Sequence, residues 1–284
     1  MYKIVKKELF SPVTFLWEVE AKDLAEAAHP GQFVIVRLQE GSERIPLTIA
    51  DFDKKRGTVT LVVQVVGKST EEMSKLPEGA ELKDLCGPLG IPSHVKETDG
   101  KVVFVGGGLG IAPVYPILRA HKGIGNYTIS IIGFRNKDLV FWEDKFKQQS
   151  DEMYITTDDG SYGRKGLVID PLKELLAKHK DIKEVVAIGP LIMMKATADT
   201  TRSFGVKTIV SLNTIMVDGM GMCGGCRVTV AGKDQFACVD GPDFDAHQVD
   251  FNELMKRQRR FVKEEKSSLE KYHHECELKK AGKI

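Results

Sequence analysis

Short apolar, β-branched runs separated by polar turns fill the first third of the chain. Ile4 to Leu9, Thr14 to Val19, Gln32 to Leu38, Ile45 to Asp51 and Thr58 to Val66 are rich in Val, Ile, Thr and Phe. His29-Pro30-Gly31, Glu40-Gly41-Ser42 and Lys55-Arg56-Gly57 punctuate them. Runs of this length, bounded by Gly and Pro, read as strands. They predict a small antiparallel β-barrel over residues 1–98.

The pattern changes at Lys101. Val102 to Val105 is a buried-type strand that runs into glycines and then a helix. Thr128 to Gly133, Met153 to Thr156 and Glu184 to Ile188 read as further strands. Helices are predicted over Phe141 to Gln149, Asp170 to Lys178 and Ile192 to Ser203. Asp170 is a candidate N-cap with Pro171 at the first helical position. Strand–helix alternation of this kind predicts a parallel sheet over residues 99–206. Residues 207–250 return to strands around a cysteine cluster. Residues 251–284 form a highly charged tail. Phe251, Leu254, Met255 and Phe261 give it a loose apolar face, which predicts a helix lying against a partner subunit or the cysteine-rich unit. The fold class is thus β plus α/β with a small C-terminal subdomain.

Composition narrows the function classes. Of 284 residues, 42% are hydrophobic and 29% charged, with a formal net charge of +1. A near-neutral chain without a basic, aromatic-interleaved stripe argues against nucleic acid as a partner. No apolar run approaches the length of a membrane span. The N-terminal Met1 to Val5 leads straight into strand-like sequence rather than signal-peptide architecture, which predicts a cytoplasmic protein. Five cysteines, an odd number, are present, and Cys223, Cys226 and Cys238 lie within sixteen residues. In a reducing compartment such a cluster points to metal rather than disulfides. Cys86 and Cys276 stand alone.

The cysteine spacing is specific. Asp218-Gly-Met-Gly-Met-Cys223-Gly-Gly-Cys226 followed by Cys238 gives Asp-x4-Cys-x2-Cys-x11-Cys. A plant-type two-iron, two-sulfide site reads Cys-x4-Cys-x2-Cys and then a distant Cys. Asp218 stands where the first thiolate would be. Gly219, Gly221, Gly224 and Gly225 permit the chain to wrap a cluster with its N–H groups turned inward. Zinc is the rival, but zinc sites usually bring two close pairs or His partners. Here the third Cys is solitary, and no His lies between Cys226 and Cys238.

The sequence from Val102 through Gly106-Gly107-Gly108-Leu109-Gly110-Ile111-Ala112 is strand, glycine turn and helix start. Glycines admit a dinucleotide to the backbone, and the helix N-terminus favours its phosphates. Tight strand–helix packing would call for the same glycines. Two later loops, Thr157 to Ser161 and Gly189 to Met193, follow strands of the same predicted sheet and converge at its carboxyl end. In the barrel, Arg44-Ile-Pro46-Leu47-Thr48 places an Arg and a hydroxyl in strand-like sequence. A buried Arg needs an anion. Gly67-Lys68-Ser69-Thr70 reads as an anion-binding turn. For both, an exposed charge beside a turn remains open.

Together these motifs resemble the ferredoxin–NADP reductase superfamily over residues 1 to about 245. More closely, they resemble its subgroup with a C-terminal two-iron cluster, which includes dihydroorotate dehydrogenase electron-transfer subunits and the small subunits of NADH-dependent ferredoxin:NADP oxidoreductase and sulfide dehydrogenase. The resemblance implies an FAD-binding barrel. Thr48 would hydrogen-bond flavin N5 and be the residue closest to the chemistry. Pro46 and Leu47 would lie along the ring, Val63 and Gln64 would flank it, and Arg44, Ser69 and Thr70 would hold the pyrophosphate. NAD(H) would meet Gly107, Gly108, Gly110, Ala112, Asp159, Gly189, Pro190 and Met193. Many relatives carry Cys before the Gly-Pro pair, where this chain has Ile188. Arg135 offers a contact to a 2′-phosphate, but Asp138 close by argues against a dedicated pocket, so NAD(H) is expected. A [2Fe-2S] cluster would be held by Asp218, Cys223, Cys226 and Cys238. Asp218 points to the ferredoxin:NADP oxidoreductase and sulfide dehydrogenase type, which is electron-bifurcating and heterodimeric. Its larger flavin and iron–sulfur subunit would reach ferredoxin. The alternatives are a dihydroorotate-oxidising partner and a zinc-stabilised module without redox activity.

Overall fold

The computed structural model describes residues 2–280. The last four residues of the predicted tail lie outside them. Strands β1 (Tyr2–Ser11), β2 (Thr14–Glu20), β3 (Phe33–Arg37), β4 (Ile45–Asp53), β5 (Thr58–Gln64), β6 (Glu81–Leu82) and β7 (Asp84–Leu89) form one sheet in the order β6-β1-β2-β5-β4-β3-β7. All its pairings are antiparallel. The two edge strands are separated by Lys83 alone, so one stretch of chain forms both edges and the sheet curls into a nearly closed barrel. Ile4, Trp17, Val19, Val34, Ile49, Leu61 and Val63 fill its interior.

β5 is buried on both faces because it has two neighbours. Val59, Leu61 and Val63 face the barrel interior, whereas Val62 packs with Leu16 and Ala50 into the core of the following unit. Period-two alternation therefore separates two cores along one strand. Two short helices interrupt the barrel, α1 (Lys22–Ala27) and α2 (Lys68–Lys75). α1, whose Leu24 and Ala25 are buried, is not among the expected elements, and the expected anion-binding turn at Gly67 to Thr70 is the start of α2.

The second sheet has the order β11-β10-β9-β8-β12-β13-β16, built from β8 (Lys101–Gly107), β9 (Tyr127–Phe134), β10 (Glu152–Thr157), β11 (Arg164–Lys165), β12 (Ile182–Ile188), β13 (Lys207–Ser211) and β16 (Asp243–Asp245). Its pairings are parallel except β13 with β16. Helices α3 (Ile111–Gly123), α4 (Glu143–Gln149), α5 (Ile169–Lys178) and α6 (Leu191–Phe204) connect the strands. Strand order reverses at β8, and a crevice at such a switch point is where open α/β sheets take ligands. Two details depart from expectation. α4 begins after Trp142, whose φ of +59° breaks the helix predicted from Phe141. Asp170 lies inside α5 rather than capping it, and its carboxylate accepts from the Leu167 amide at 3.0 Å.

The parallel sheet runs past residue 206, since β13 pairs with β12. The cysteine-rich stretch adds the hairpin β14 (Arg227–Val230) and β15 (Lys233–Phe236). Two helices follow, α7 (Phe251–Gln258) and α8 (Val262–Lys280). Phe251 and Leu254 anchor α7 in the main core. α8 lies against the barrel's α2, where Lys75 Nζ bonds Tyr272 Oη at 2.8 Å and His273 bonds Glu71 at 2.7 Å. The tail thus returns to the barrel, a contact its charged sequence did not reveal. Among the described residues no helix is long and apolar enough to cross a membrane.

Candidate functional site

A cavity of about 840 Å³ opens where the barrel meets the carboxyl end of the parallel sheet. From the barrel come Pro46, Leu47 and Thr48 of β4 and Val62 and Gln64 of β5. β4 carries a register irregularity between Ile49 and Asp51, just past Thr48. Such bulges re-aim side chains at sites. From the sheet come Gly107, Gly108, Gly110 and Ala112 after β8, and Gly189, Pro190 and Met193 after β12. Eleven of the residues assigned to flavin or nicotinamide thus share one cavity although they are scattered along the chain.

The glycines divide by role. A methyl at Gly107 would collide with Met193 Sδ, and one at Gly110 with the Ile188 carbonyl. Those two serve close packing of loop against loop. Gly108 has φ +55° and open space where a side chain would be. It is the position that leaves room for a ligand against the backbone, and the helix α3 starts three residues later.

Five assigned residues lie off this cavity's lining. Val63 is 1% exposed and faces the barrel core, while its neighbour Val62 takes the cavity side. Strand periodicity in β5, counted from Gln64, would have found Val62. Asp159 is exposed and closes its own turn, accepting from the Ser161 amide at 2.9 Å and its hydroxyl at 2.7 Å. Those bonds, the hydroxyl first, hold its carboxyl below the usual range. Asp158 lines the cavity instead. Arg44 is exposed, so the argument from a buried Arg does not apply to it. Ser69 donates to the carboxylate of Glu43, the residue before Arg44 in sequence. Thr70 Oγ1 accepts the Val66 and Gly67 amides at 2.9 and 3.1 Å and closes the first turn of α2. Arg135, Asn213, Thr214 and Met216 also line the cavity.

The cysteine loop departs from β13 and runs past this cavity. Gly219, Gly221 and Gly224 take φ of +74°, +80° and +67°, a conformation costly for residues with a Cβ. Asp218 Oδ1 accepts the Met220 amide at 2.8 Å, and Oδ2 the Cys223 amide at 2.6 Å. The Met220 amide leads in holding this carboxyl below its ordinary range. Cys226 and Cys238 are buried with sulfurs 3.2 Å apart, and Cys223 is exposed. Burial, then the Cys226 thiol, pushes the Cys238 thiol up to about 12. The Gly221 amide points at Cys238 Sγ at 3.1 Å, and the Gly225 amide at Cys223 Sγ at 3.4 Å.

No three carboxylate, thiol or imidazole groups among the described residues gather tightly enough for a single metal ion. The four candidate ligands instead form two pairs, Asp218 beside Cys223 and Cys226 beside Cys238. Two pairs suit a two-iron cluster better than one tetrahedral zinc, and amides aimed at sulfur suit its need for N–H donors. The donor set therefore fits the cluster. Cys86 lies on β7 and Cys276 on α8, and neither lines the cavity.

Comparison with known proteins bears on both sites. Residues 213–250 match the family model described as the iron–sulfur cluster binding domain of dihydroorotate dehydrogenase B. Over 281 residues the chain is 47% identical to the dihydroorotate dehydrogenase B (NAD(+)) electron transfer subunit homolog of Thermotoga maritima, covering 99% of this chain and 96% of that one. It is 34% identical over 247 residues to the corresponding electron transfer subunit of Fusobacterium nucleatum, covering 84% and 93%. Among solved structures, a chain from the NADH-dependent reduced ferredoxin-NADP oxidoreductase, studied for flavin-based electron bifurcation, matches with TM-score 0.90 at 46% identity, covering 96% and 98%. The ferredoxin reductase of carbazole 1,9a-dioxygenase shares the fold at TM-score 0.62 and 20% identity, covering 72% and 65%.

Proposed function

This chain belongs to the family of dihydroorotate dehydrogenase B electron transfer subunits and their homologues, and from that premise we propose that it is the NADH-linked small subunit of an electron-bifurcating flavin and iron–sulfur oxidoreductase. Electron transfer between NAD(H), FAD and an iron–sulfur cluster is the family-level activity. The finer reading is of the NADH-dependent ferredoxin:NADP oxidoreductase type. It has a cytoplasmic location, a [2Fe-2S] cluster, and a larger flavin and iron–sulfur subunit as heterodimer partner that reaches ferredoxin. The observation that carries it is the 46% identity and 0.90 TM-score to a chain of that enzyme across nearly the whole length of both.

The division of labour follows the chain. Residues 1–98 would hold FAD, 99–206 the nicotinamide, 207–250 the cluster, and 251–284 the tail that ties them together. When bound, FAD accepts a hydride as a pair of electrons, and the cluster takes electrons singly. The residues' part is binding and alignment. Thr48 offers a hydroxyl on the cavity wall, Pro46 and Leu47 offer a flat apolar flank, and Gly108 lets the backbone approach a ligand. Arg44, Ser69 and Thr70 would hold the anionic end of FAD, with Ser69 and Thr70 at the start of α2. No side chain need move a proton for hydride transfer, which agrees with a cavity lined by no histidine.

Anaerobic purification with cofactor and metal analysis tests the reading. One FAD, two irons and two sulfides per chain are expected, with co-purification of a larger flavoprotein from the source cell. Zinc without flavin would overturn it in favour of a binding module. A dihydroorotate-oxidising partner would overturn the finer assignment and keep the family.

A further inference from the structure

The stretch between β13 and the cysteine loop forms a wall of the cavity, and no motif assigned it a role. Asn213 in this wall is exposed, and Thr214 beside it is 7% exposed with a hydroxyl that has no hydrogen-bond partner among the described residues. α7 reaches this wall from the tail. Its start is fixed by Asp250, which accepts the Glu253 amide at 2.9 Å, and by the buried Phe251 and Leu254. At its other end Gln258 Nε2 donates to the Asn213 backbone carbonyl at 2.7 Å and to the Asn213 side-chain Oδ1 at 3.2 Å. The preceding residue, Arg257, donates to the Gly225 carbonyl in the cysteine loop at 3.5 Å.

The double contact decides which end of the Asn213 amide remains available. Its oxygen is engaged by Gln258, so the amide presents its two N–H donors elsewhere, and they have no protein partner among the described residues. A side-chain amide with free N–H groups in a mostly apolar cavity wall is a donor for an uncharged carbonyl oxygen. We infer that Asn213 is a cofactor-binding residue of this cavity, donating to a ring carbonyl of the flavin or to the carboxamide carbonyl of the nicotinamide. Gln258 is its positioning residue. The tail helix then has a function at the site, holding one donor in register while it pins the cysteine loop. This inference rests on the cavity holding the cofactors proposed above.

The test uses the full chain with Asn213→Ala, Gln258→Ala and the double variant. Three quantities are measured: FAD affinity on reconstitution of flavin-stripped protein, flavin midpoint potential without nucleotide, and NADH affinity. Loss of one neutral hydrogen bond in Asn213→Ala should weaken one affinity about five- to tenfold, and loss of its orientation in Gln258→Ala about two- to threefold. In the Asn213→Ala background, Gln258→Ala should add little to the change in cofactor affinity, because the amide it orients is gone and only its bond to the backbone carbonyl remains. A change in FAD affinity and potential without nucleotide identifies the flavin carbonyl as acceptor, and a change in NADH affinity alone identifies the nicotinamide. Flavin-replete Asn213→Ala protein with all three quantities unchanged overturns the inference and leaves the function intact. Additive effects in the double variant overturn the positioning role. Wild-type protein that binds no flavin overturns both the inference and the function.

Discussion

Gly107 and Gly110 are wedged against Met193 and the Ile188 carbonyl, whereas Gly219, Gly221 and Gly224 turn through left-handed backbone on a loop that exposes Met220, Met222 and Cys223. The first pair belongs to the nucleotide cavity and the second set to the cysteine loop. The cavity is walled by the ends of strands whose interiors are fully packed. β8 and β12 carry Val103, Phe104, Val105, Val185 and Ala187 at or near zero exposure. Its shape follows from the packing of those strands. The loop is anchored at its base by Leu212, Met216, Cys226 and Cys238 in the main core, while its tip exposes Met220, Met222 and Cys223. Its donors stand in two pairs rather than around one centre. A cluster bound by these pairs would add its affinity to the folding energy of the loop. One fold therefore holds a cavity walled by packed strand ends beside a ligand loop whose exposed tip is turned by glycines.

The largest effect expected from this contrast is that of Cys226→Ser. Removing a buried thiol beside Cys238 should eliminate nearly all bound iron. Hydrogen exchange should then accelerate across residues 213–250, while the barrel and parallel sheet keep their protection and their flavin. Loss of flavin in the same variant would break the comparison, since the two sites would then form one cooperative unit.

Gly110→Ala should act next most strongly, and in the opposite place. Its methyl meets backbone that cannot retreat, so a loss of about 3 kcal/mol in stability is expected from overpacking. Gly108→Ala meets open space and should cost about 1 kcal/mol from its left-handed backbone alone. Urea midpoints compare the two. Equal losses would mean that the loop relaxes freely, against the picture of a cavity fixed by packing.

A smaller and more selective effect is expected at Asp218. As a ligand to iron, its replacement by Ala should leave the cluster assembled but labile to chelators. Asp218→Cys should keep two irons and change the EPR signal and potential. The carboxylate also accepts the Met220 and Cys223 amides, so it serves the turn as well. Wild-type spectra and potential in both variants would reduce Asp218 to that turn.

Residues that had to be in place for packing were the most legible in the sequence. The strands of the barrel and sheet followed from β-branched runs and turn residues. The glycine loop followed from its position after a buried strand, and Gly107 and Gly110 both line the cavity and are closely packed against Met193 and the Ile188 carbonyl. Val62 was missed because β5 is apolar on both faces and gives no polar phase mark except Gln64. α1 and the contact of α8 with α2 were missed because short or charged helices owe their positions to tertiary contacts that propensity does not encode. Asn213 and Gln258 lie far apart in sequence, and only the fold reveals that one holds the other. The four ligand candidates were legible through spacing alone, because a cluster dictates loop lengths more strictly than a hydrophobic core does.

Anaerobic titration of the purified chain with NADH, followed by visible absorption and low-temperature EPR, tests whether the two sites form one electron path. NADH should bleach the flavin absorption and, in the same sample, produce the rhombic signal of a reduced two-iron cluster. In Cys226→Ser protein the bleaching should persist without the signal. A wild-type flavin that NADH bleaches while the cluster stays oxidised and EPR-silent, even with excess NADH, would contradict transfer from the cavity to the loop.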